Sequence, residues 1–193
     1  MTIQEEKAAL RRQIRAAMRQ LPSEEKRAGD ARIVAHLLSL EAYRQAETVF
    51  CFVSTPREIE TRPILLDVLA SGRRLCVPRC VEGNRMEAVV IRSLEELQSG
   101  AYGILEPPPG GEVLSPEEIG FAVIPCLACD RRGRRLGQGG GYYDRFLARY
   151  RGGAALLCRE AWVLPAIPAD LYDQTIETLV TDAQIYTCRT ELL

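Results

Sequence analysis

The chain has 193 residues, 25 basic and 26 acidic, and 47% of them are hydrophobic. That length suits one domain over residues 1–193 with a substantial buried core, and the near-balance of charge argues against a nucleic-acid-binding surface, which needs a basic excess. No apolar run approaches the roughly 20 residues of a membrane-spanning helix. The charged N-terminus also lacks the apolar core of a secretory signal, so a cytoplasmic protein is expected.

Residues 4–20 read as an amphipathic helix, with Ala8, Leu10, Ile14, Ala17 and Met18 roughly a turn apart. Leu21-Pro22-Ser23 ends it, and Ser23 followed by Glu24 and Glu25 is expected to cap a second helix reaching about Leu40. The only histidine, His36, sits in its apolar IVAHLL segment, which suits a structural part. Thr48–Val53 is a continuous apolar run of strand length, of the sort buried on both faces. A helix over Arg62–Ala70, with Thr61 as its cap, leads to strands at Arg74–Arg79 and Met86–Ile91. Glu106–Glu118, rich in Pro and Gly, reads as a surface loop. Strands follow at Phe121–Pro125, Ala154–Cys158, Thr178–Asp182 and Ile185–Arg189, the last two close enough for a hairpin. Strands alternating with helices predict an α/β domain whose mainly parallel sheet is covered on both faces.

Seven cysteines are scattered along the chain, mostly inside apolar runs where a thiol behaves as a small hydrophobe. Cys126-Leu-Ala-Cys129 has redox or zinc spacing, yet it ends a strand rather than opening a helix. A zinc site needs two further ligands, and Cys76 and Cys80 form the only other close pair in sequence. Core packing is the expectation.

The most informative stretch is Arg131–Tyr150, RRGRRLGQGGGYYDRFLARY, shortly after the Phe121–Cys126 run. It reads as strand, basic loop, glycine turn and helix. Glycines let backbone approach a ligand, and unpaired N–H groups at a helix start point towards it. Arginines beside such a turn make an anion site, phosphate being the natural occupant. Asp144 at the helix start is then the odd charge, and an acid facing phosphate suggests an intervening cation such as Mg2+ on oxygen ligands. The Gly-Lys-Ser/Thr ending of the common nucleotide loop is absent, and Tyr142 stands where the dinucleotide fingerprint needs glycine.

The segment GRRLGQGGGYYDRFL resembles the signature of the 5-formyltetrahydrofolate cyclo-ligase family, also called 5,10-methenyltetrahydrofolate synthetases. Lys7 and Arg11 in the first helix, Glu58–Thr61 after the first strand, Tyr102–Pro107 and a proline-containing stretch ending in Asp173 agree in order and spacing. The resemblance therefore spans nearly the whole chain and implies a three-layer α/β/α sandwich. It implies ATP contacts by Lys7, Arg11, Arg135, Gly137, Gln138, Gly139, Gly140, Gly141, Tyr142 and Tyr143. Lys7 and Arg11, at i and i+4, also share one helix face. Reduced folate would be met by Val53, Glu58, Tyr102 and, in the glycine turn, Gln138, Gly139, Gly140, Gly141 and Tyr142. Glu58 follows the end of a buried strand, where ligands of parallel sheets bind, and its carboxylate suits the N–H groups of a pterin. The resemblance makes Asp144 a magnesium ligand and Asp173 a second, with Asp170 close enough to compete. Arg135 and Tyr143 would be the catalytic side chains.

The implied reaction converts 5-formyltetrahydrofolate to the 5,10-methenyl form, with ATP activating the formyl oxygen and no protein nucleophile. A monomer acting on reduced folate and ATP is expected. The pattern departs from the family's at Gln138 and Gly140, where some relatives carry a basic residue. It departs also at Cys129, where an aromatic is frequent, and at Ile176-Glu177 in place of an aspartate pairing. Two rivals remain: an isomerase or acyl-transferring enzyme using Glu58 or Glu60 without ATP, and a non-catalytic regulatory homologue. Loss of Arg135, Asp144 or the glycines would mark the second, and all are present.

Overall fold

A computed structural model describes residues 2–100 and 103–188. Helix α1 (Ile3–Gln20) starts on a reciprocal cap: the Thr2 hydroxyl accepts from Glu5 N, and the Glu5 carboxylate accepts from Thr2 N. Helix α2 (Ser23–Ser39) differs from expectation at its start. Pro22 occupies the cap position, its ring fixing the extended backbone required there, and Ser23 is already helical. The short α3 (Glu41–Gln45) leads into strand β1 (Thr48–Cys51), then α4 (Arg62–Ala70), β2 (Arg74–Val81) and β3 (Arg85–Ile91). Thr61 precedes α4 without capping it through its side chain. Its buried hydroxyl donates to Phe52 O at 2.9 Å and accepts from Ser54 N at 3.0 Å, closing the loop after β1.

The second and third strands form one long antiparallel hairpin, turned by Gly83 and Asn84 at φ 75° and 52°. Asparagine and glycine tolerate that left-handed backbone, which is why the strands run past their expected ends. After β4 (Gln98–Ser99) and β5 (Leu105–Glu106), the expected surface loop contains β6 (Val113–Leu114), which pairs with β3 at the sheet edge. Only two residues long, this strand gives too little alternation to be read from sequence. The chain continues through β7 (Phe121–Pro125), β8 (Ala128–Asp130), β9 (Arg135–Leu136), α5 (Tyr142–Leu147) and β10 (Gly153–Leu157). It ends with β11 (Val163–Leu164), β12 (Thr178–Val180) and β13 (Ile185–Thr187). The expected closing hairpin is present, as β12 and β13 pair antiparallel.

The main sheet has the order β13-β12-β10-β7-β1-β2-β3-β6. Strands β12, β10, β7, β1 and β2 are parallel. The continuous apolar runs follow from burial on both faces. Val49, Cys51, Val123, Ala155 and Leu157 pack with Ile33 and Leu37 of α2 and with Ile64 and Val68 of α4. The alternate residues Phe50, Ala122, Ile124 and Leu156 pack with Ile14 of α1 and Phe146 of α5. The result is the three-layer α/β/α arrangement with a mainly parallel sheet.

Candidate active site at the sheet switch point

From β1 the chain proceeds outward to β2, and later returns to lay β7 on the other flank of β1. Strand order reverses between β1 and β7, so the loops leaving their carboxyl ends diverge and open a crevice. One is the loop from Phe52 to Thr61. The other carries the β8–β9 hairpin and the glycine turn into α5.

The β8–β9 hairpin is built around Asp130, which is fully buried. Its Oδ1 accepts from Arg132 N (2.9 Å) and Arg134 N (3.2 Å), and its Oδ2 accepts from Ile167 N (3.0 Å). These bonds force the arginine-rich loop to curl and separate its charges. Arg131 is exposed and lies over the Tyr186 ring at 4.6 Å, whereas Arg135 is only 6% exposed. The arginine run thus divides, with the Arg135 guanidinium turned inward and Arg131 left at the surface. The curl also needs Gly133 at φ 78°, because a Cβ there would run into the Ile176 carbonyl. Gly133→Ala is therefore expected to cost about 3 kcal/mol or more in urea unfolding. Gly137→Ala, where a Cβ meets nothing within 4 Å, should stay within about 0.5 kcal/mol. Equal costs at the two positions would contradict this account of the hairpin.

Arg135 Nη1 donates to Gln174 O at 3.1 Å, and Nη2 pairs with Asp144 Oδ1 at 3.0 Å. The same Asp144 oxygen accepts from Gln174 N at 3.1 Å. Thus the cation beside Asp144 is Arg135 itself, and the segment ending in Asp173 and Gln174 is tied to both. The glycine turn uses Gly139 and Gly141 at φ 108° and 69°. Arg145 Nη1 braces the turn by donating to Gly140 O (2.9 Å) and Asn84 O (3.1 Å). Helix α5 spans under two turns, so its macrodipole is small and an anion here would rely on Arg135 and the turn amides.

Helix α1 lies across this assembly with a stripe of cations at i, i+4 and i+8. Lys7 Nζ contacts Asp170 Oδ2 (3.0 Å) and Asp173 Oδ2 (2.5 Å). Arg11 Nε donates to Gly137 O (2.8 Å), and Arg15 Nη2 donates to Gln138 Oε1 (2.6 Å). Lys7 is 4% exposed, its charge met by two carboxylates. Arg11 and Arg15 hold the glycine turn from above.

On the other wall, Val53 is buried, and Glu58 Oε2 accepts from Thr55 N (2.8 Å) and Thr55 Oγ1 (3.0 Å), which closes the β1 loop on itself. Tyr143 bridges the walls: its ring meets Phe50 edge-on at 6.4 Å, and burial, then the charge of Glu58, push its phenol well above the usual range. Tyr142 reaches Asn84 Oδ1 at 3.4 Å. Tyr102 lies outside the described residues. The other expected site residues converge on this one crevice or brace its walls. Arg15, Asn84, Arg145 and Gln174 join them unforeseen. The repeat Lys7, Arg11, Arg15 was the available signal for the first of these.

A buried guanidinium, a glycine turn and two carboxylates, each with one oxygen unpartnered among the described residues, can together hold a polyphosphate and a divalent cation. A model of the 5-formyltetrahydrofolate cyclo-ligase family matches residues 3–182. The mouse (Mus musculus) protein named 5-formyltetrahydrofolate cyclo-ligase is 27% identical over 93% of this chain and 95% of its own length. The solved Aquifex aeolicus 5,10-methenyltetrahydrofolate synthetase superposes with a TM-score of 0.85 at 31% identity, covering 97% of this chain and 95% of that one. A Mycoplasma pneumoniae 5,10-methenyltetrahydrofolate synthetase, 19% identical, shares the fold with a TM-score of 0.74 over 91% of this chain and 98% of its own. With the family pattern running from α1 to just past β12, this chain belongs to the 5-formyltetrahydrofolate cyclo-ligase family.

Proposed function

We propose that this protein closes 5-formyltetrahydrofolate to 5,10-methenyltetrahydrofolate with MgATP, releasing ADP and phosphate. The observation that carries the reading is the Arg135–Asp144–Gln174 junction beside the glycine turn, at the switch-point crevice of a cyclo-ligase-family chain. The N5-formyl group is an amide whose oxygen leaves poorly, so direct attack by N10 stalls. In the proposed course the formyl oxygen takes the γ-phosphoryl group, forming an O–P bond as the bond to ADP breaks. N10 then adds to the formyl carbon and loses its proton, and the C–O bond breaks to release phosphate.

Arg135 would hold phosphoryl oxygens, and the amides of Gly137 through Tyr142 would line the phosphate path, with Arg11 and Arg15 fixing that path's shape. The charge building on the transferred group calls for placement rather than a protein nucleophile. Asp144 and Asp173 each commit one oxygen to protein partners and leave the other for a cation. That donor set suits Mg2+, which is held through one or two carboxylates plus phosphates and would neutralise charge on the phosphoryl oxygens. Asp170 uses both oxygens on protein groups, which favours Asp173 as the second ligand. We place the reduced folate between the Val53–Glu58 loop and Tyr143, and take the protein to work as a cytoplasmic monomer. Among the described residues no helix is long and apolar enough to cross a membrane.

The direct test mixes protein, 5-formyltetrahydrofolate and Mg2+ with and without ATP, following near-ultraviolet absorbance of the methenyl product and ADP release. Product matched one-for-one by ADP is expected. Product without ATP would remove the phosphorylation step, and folate binding without turnover would make this a regulatory homologue. The raised Tyr143 phenol stays protonated at neutral pH, so it can donate a hydrogen bond but not act as a base. Tyr143→Phe should raise the folate KM by about tenfold with Tm unchanged, since the hydroxyl has no hydrogen-bond partner among the described residues. A Tm loss without a KM change would make Tyr143 a packing residue instead.

A further inference from the structure

The sequence offered Cys126 and Cys129 only two candidate partners for a metal site, and neither is the one the fold supplies. Pro125 at the end of β7 is in register with Leu157 at the end of β10, so the next residues, Cys126 and Cys158, emerge side by side. Cys129 lies on β8, fixed between Arg135 of β9 and Val163 of β11. The three Sγ atoms all lie within 4.8 Å of one another. Cys129 and Cys158 are 0% and 1% exposed, while Cys126 is partly exposed.

Packing alone does not require this convergence. The other fully buried thiols, Cys51 and Cys76, each donate to a carbonyl, Phe52 O and Val49 O, and stand apart from this triangle. Cys126 too donates to a carbonyl, Leu157 O at 3.3 Å, yet its sulfur also meets those of Cys129 and Cys158. The cluster instead sets three sulfurs together on three backbone segments that the sheets hold in place. We infer that Cys126, Cys129 and Cys158 form a binding site for a thiophilic divalent ion of the Zn2+ class, with water as the fourth ligand entering beside Cys126.

The size is right for such an ion. Zinc–sulfur bonds of about 2.3 Å place the sulfurs of a tetrahedral site about 3.8 Å apart. A triangle with edges no longer than 4.8 Å closes by at most about 1 Å, within reach of side-chain torsions alone. Three thiolates around a divalent ion carry one net negative charge. Arg135, whose charge already acts on Cys126, stands close enough to offset it. Cys188 is buried nearby but lies outside the triangle. The site is distinct from the Asp144–Asp173 pair, since it offers soft sulfur where that pair offers hard oxygen.

The test uses the full chain, stripped of metal and kept reduced with a phosphine, titrated with Cd2+ or Co2+. A sulfur-to-metal charge-transfer band saturating at one ion per chain is expected. Cys126→Ser, Cys129→Ser and Cys158→Ser should each weaken binding about a hundredfold, and Cys80→Ser should leave it unchanged. Zn2+ at about a hundred times its Kd should also raise the Tm of the unaltered protein by about 5–10 °C. Should the serine variants fold poorly, alkylation mapping of the unaltered chain decides the matter. Saturating Zn2+ should block modification of Cys126, and modification at an unchanged rate would overturn the site. Absence of the band, or its persistence in all three variants, would overturn it too. None of these outcomes depends on folate turnover.

Discussion

Replacing Arg135 by lysine should lower kcat/KM for ATP by roughly 10²–10³ while leaving the fold nearly intact. Lysine keeps a positive charge but presents one ammonium where arginine presents a planar fork. The fork here has two fixed engagements, Gln174 O through Nη1 and Asp144 Oδ1 through Nη2. One ammonium cannot reproduce both while also meeting a phosphoryl oxygen. The loss should fall mainly on kcat if the guanidinium tightens on charge that develops during transfer, and on KM if it only holds ground-state ATP. Arg135→Met should go further, because it also strands Asp144 without a cation. Arg135 and Asp144 should then couple: the Arg135→Met/Asp144→Asn double variant should be less impaired than the two single losses combined. Lysine-variant activity within about tenfold of the unaltered protein would remove Arg135 from the phosphoryl path.

That residue shows what the sequence could and could not disclose. The run RRGRR announced an anion site, but composition treats its four arginines alike. Asp130 makes the difference, because its three backbone hydrogen bonds curl the loop so that Arg135 enters and Arg131 leaves for Tyr186. A fully buried aspartate serving as a loop template has no periodic signature. The central strands were legible for the opposite reason, since burial on both faces leaves an unbroken apolar run. The two-residue strand β6 was not, and neither was the β2–β3 pairing, whose turn Glu82-Gly83-Asn84 is visible only once positive φ is assigned to it. Convergence of Cys158 on the Cys126–Cys129 pair is likewise a matter of register, which a single sequence does not carry. Glycine spacing and the Lys7–Arg11 pair pointed at the crevice. Their detailed work differs from a simple phosphate grip, for Arg11 binds the turn's carbonyl and Lys7 binds carboxylates.

Lys7 carries the second large expectation. Its ammonium is nearly enclosed and serves two carboxylates, with side chains of Asp170 and Asp173 only 25% and 18% exposed. Asp173 Oδ2 also accepts from Asp170 N at 2.7 Å, so both acids are held against the same point. Lys7→Met removes the cation that both carboxylates contact and leaves two like charges facing each other. A cost of about 3 kcal/mol follows, or about 6–12 °C in Tm for a chain of this size. The pH dependence supplies the check on cause. Hydrogen bonding to Lys7, and then to the Tyr172 backbone, holds the Asp170 carboxyl below its usual range. A carboxyl depressed in the folded state adds stability above its unfolded pKa of about 3.9, and that stability is lost as pH falls through the folded value. Burial works against the Lys7 ammonium, but its bonds to Asp173 and Asp170 outweigh it and leave the pKa raised. That contribution is complete below about pH 10.4 and is lost only as pH rises through the folded value. The gap between the unaltered protein and Lys7→Met should therefore be widest from about pH 5 to 10 and shrink towards pH 3, as the Asp170 carboxyl protonates and no longer needs the ammonium. A gap constant from pH 3 to pH 7 would instead assign the loss to the packing of the Lys7 methylenes. If the gap does close in acid, the ion triad is what holds the Asp173–Gln174 segment beside Asp144 and Arg135. Activity at neutral pH should then fall in Lys7→Met even at temperatures where the variant is fully folded.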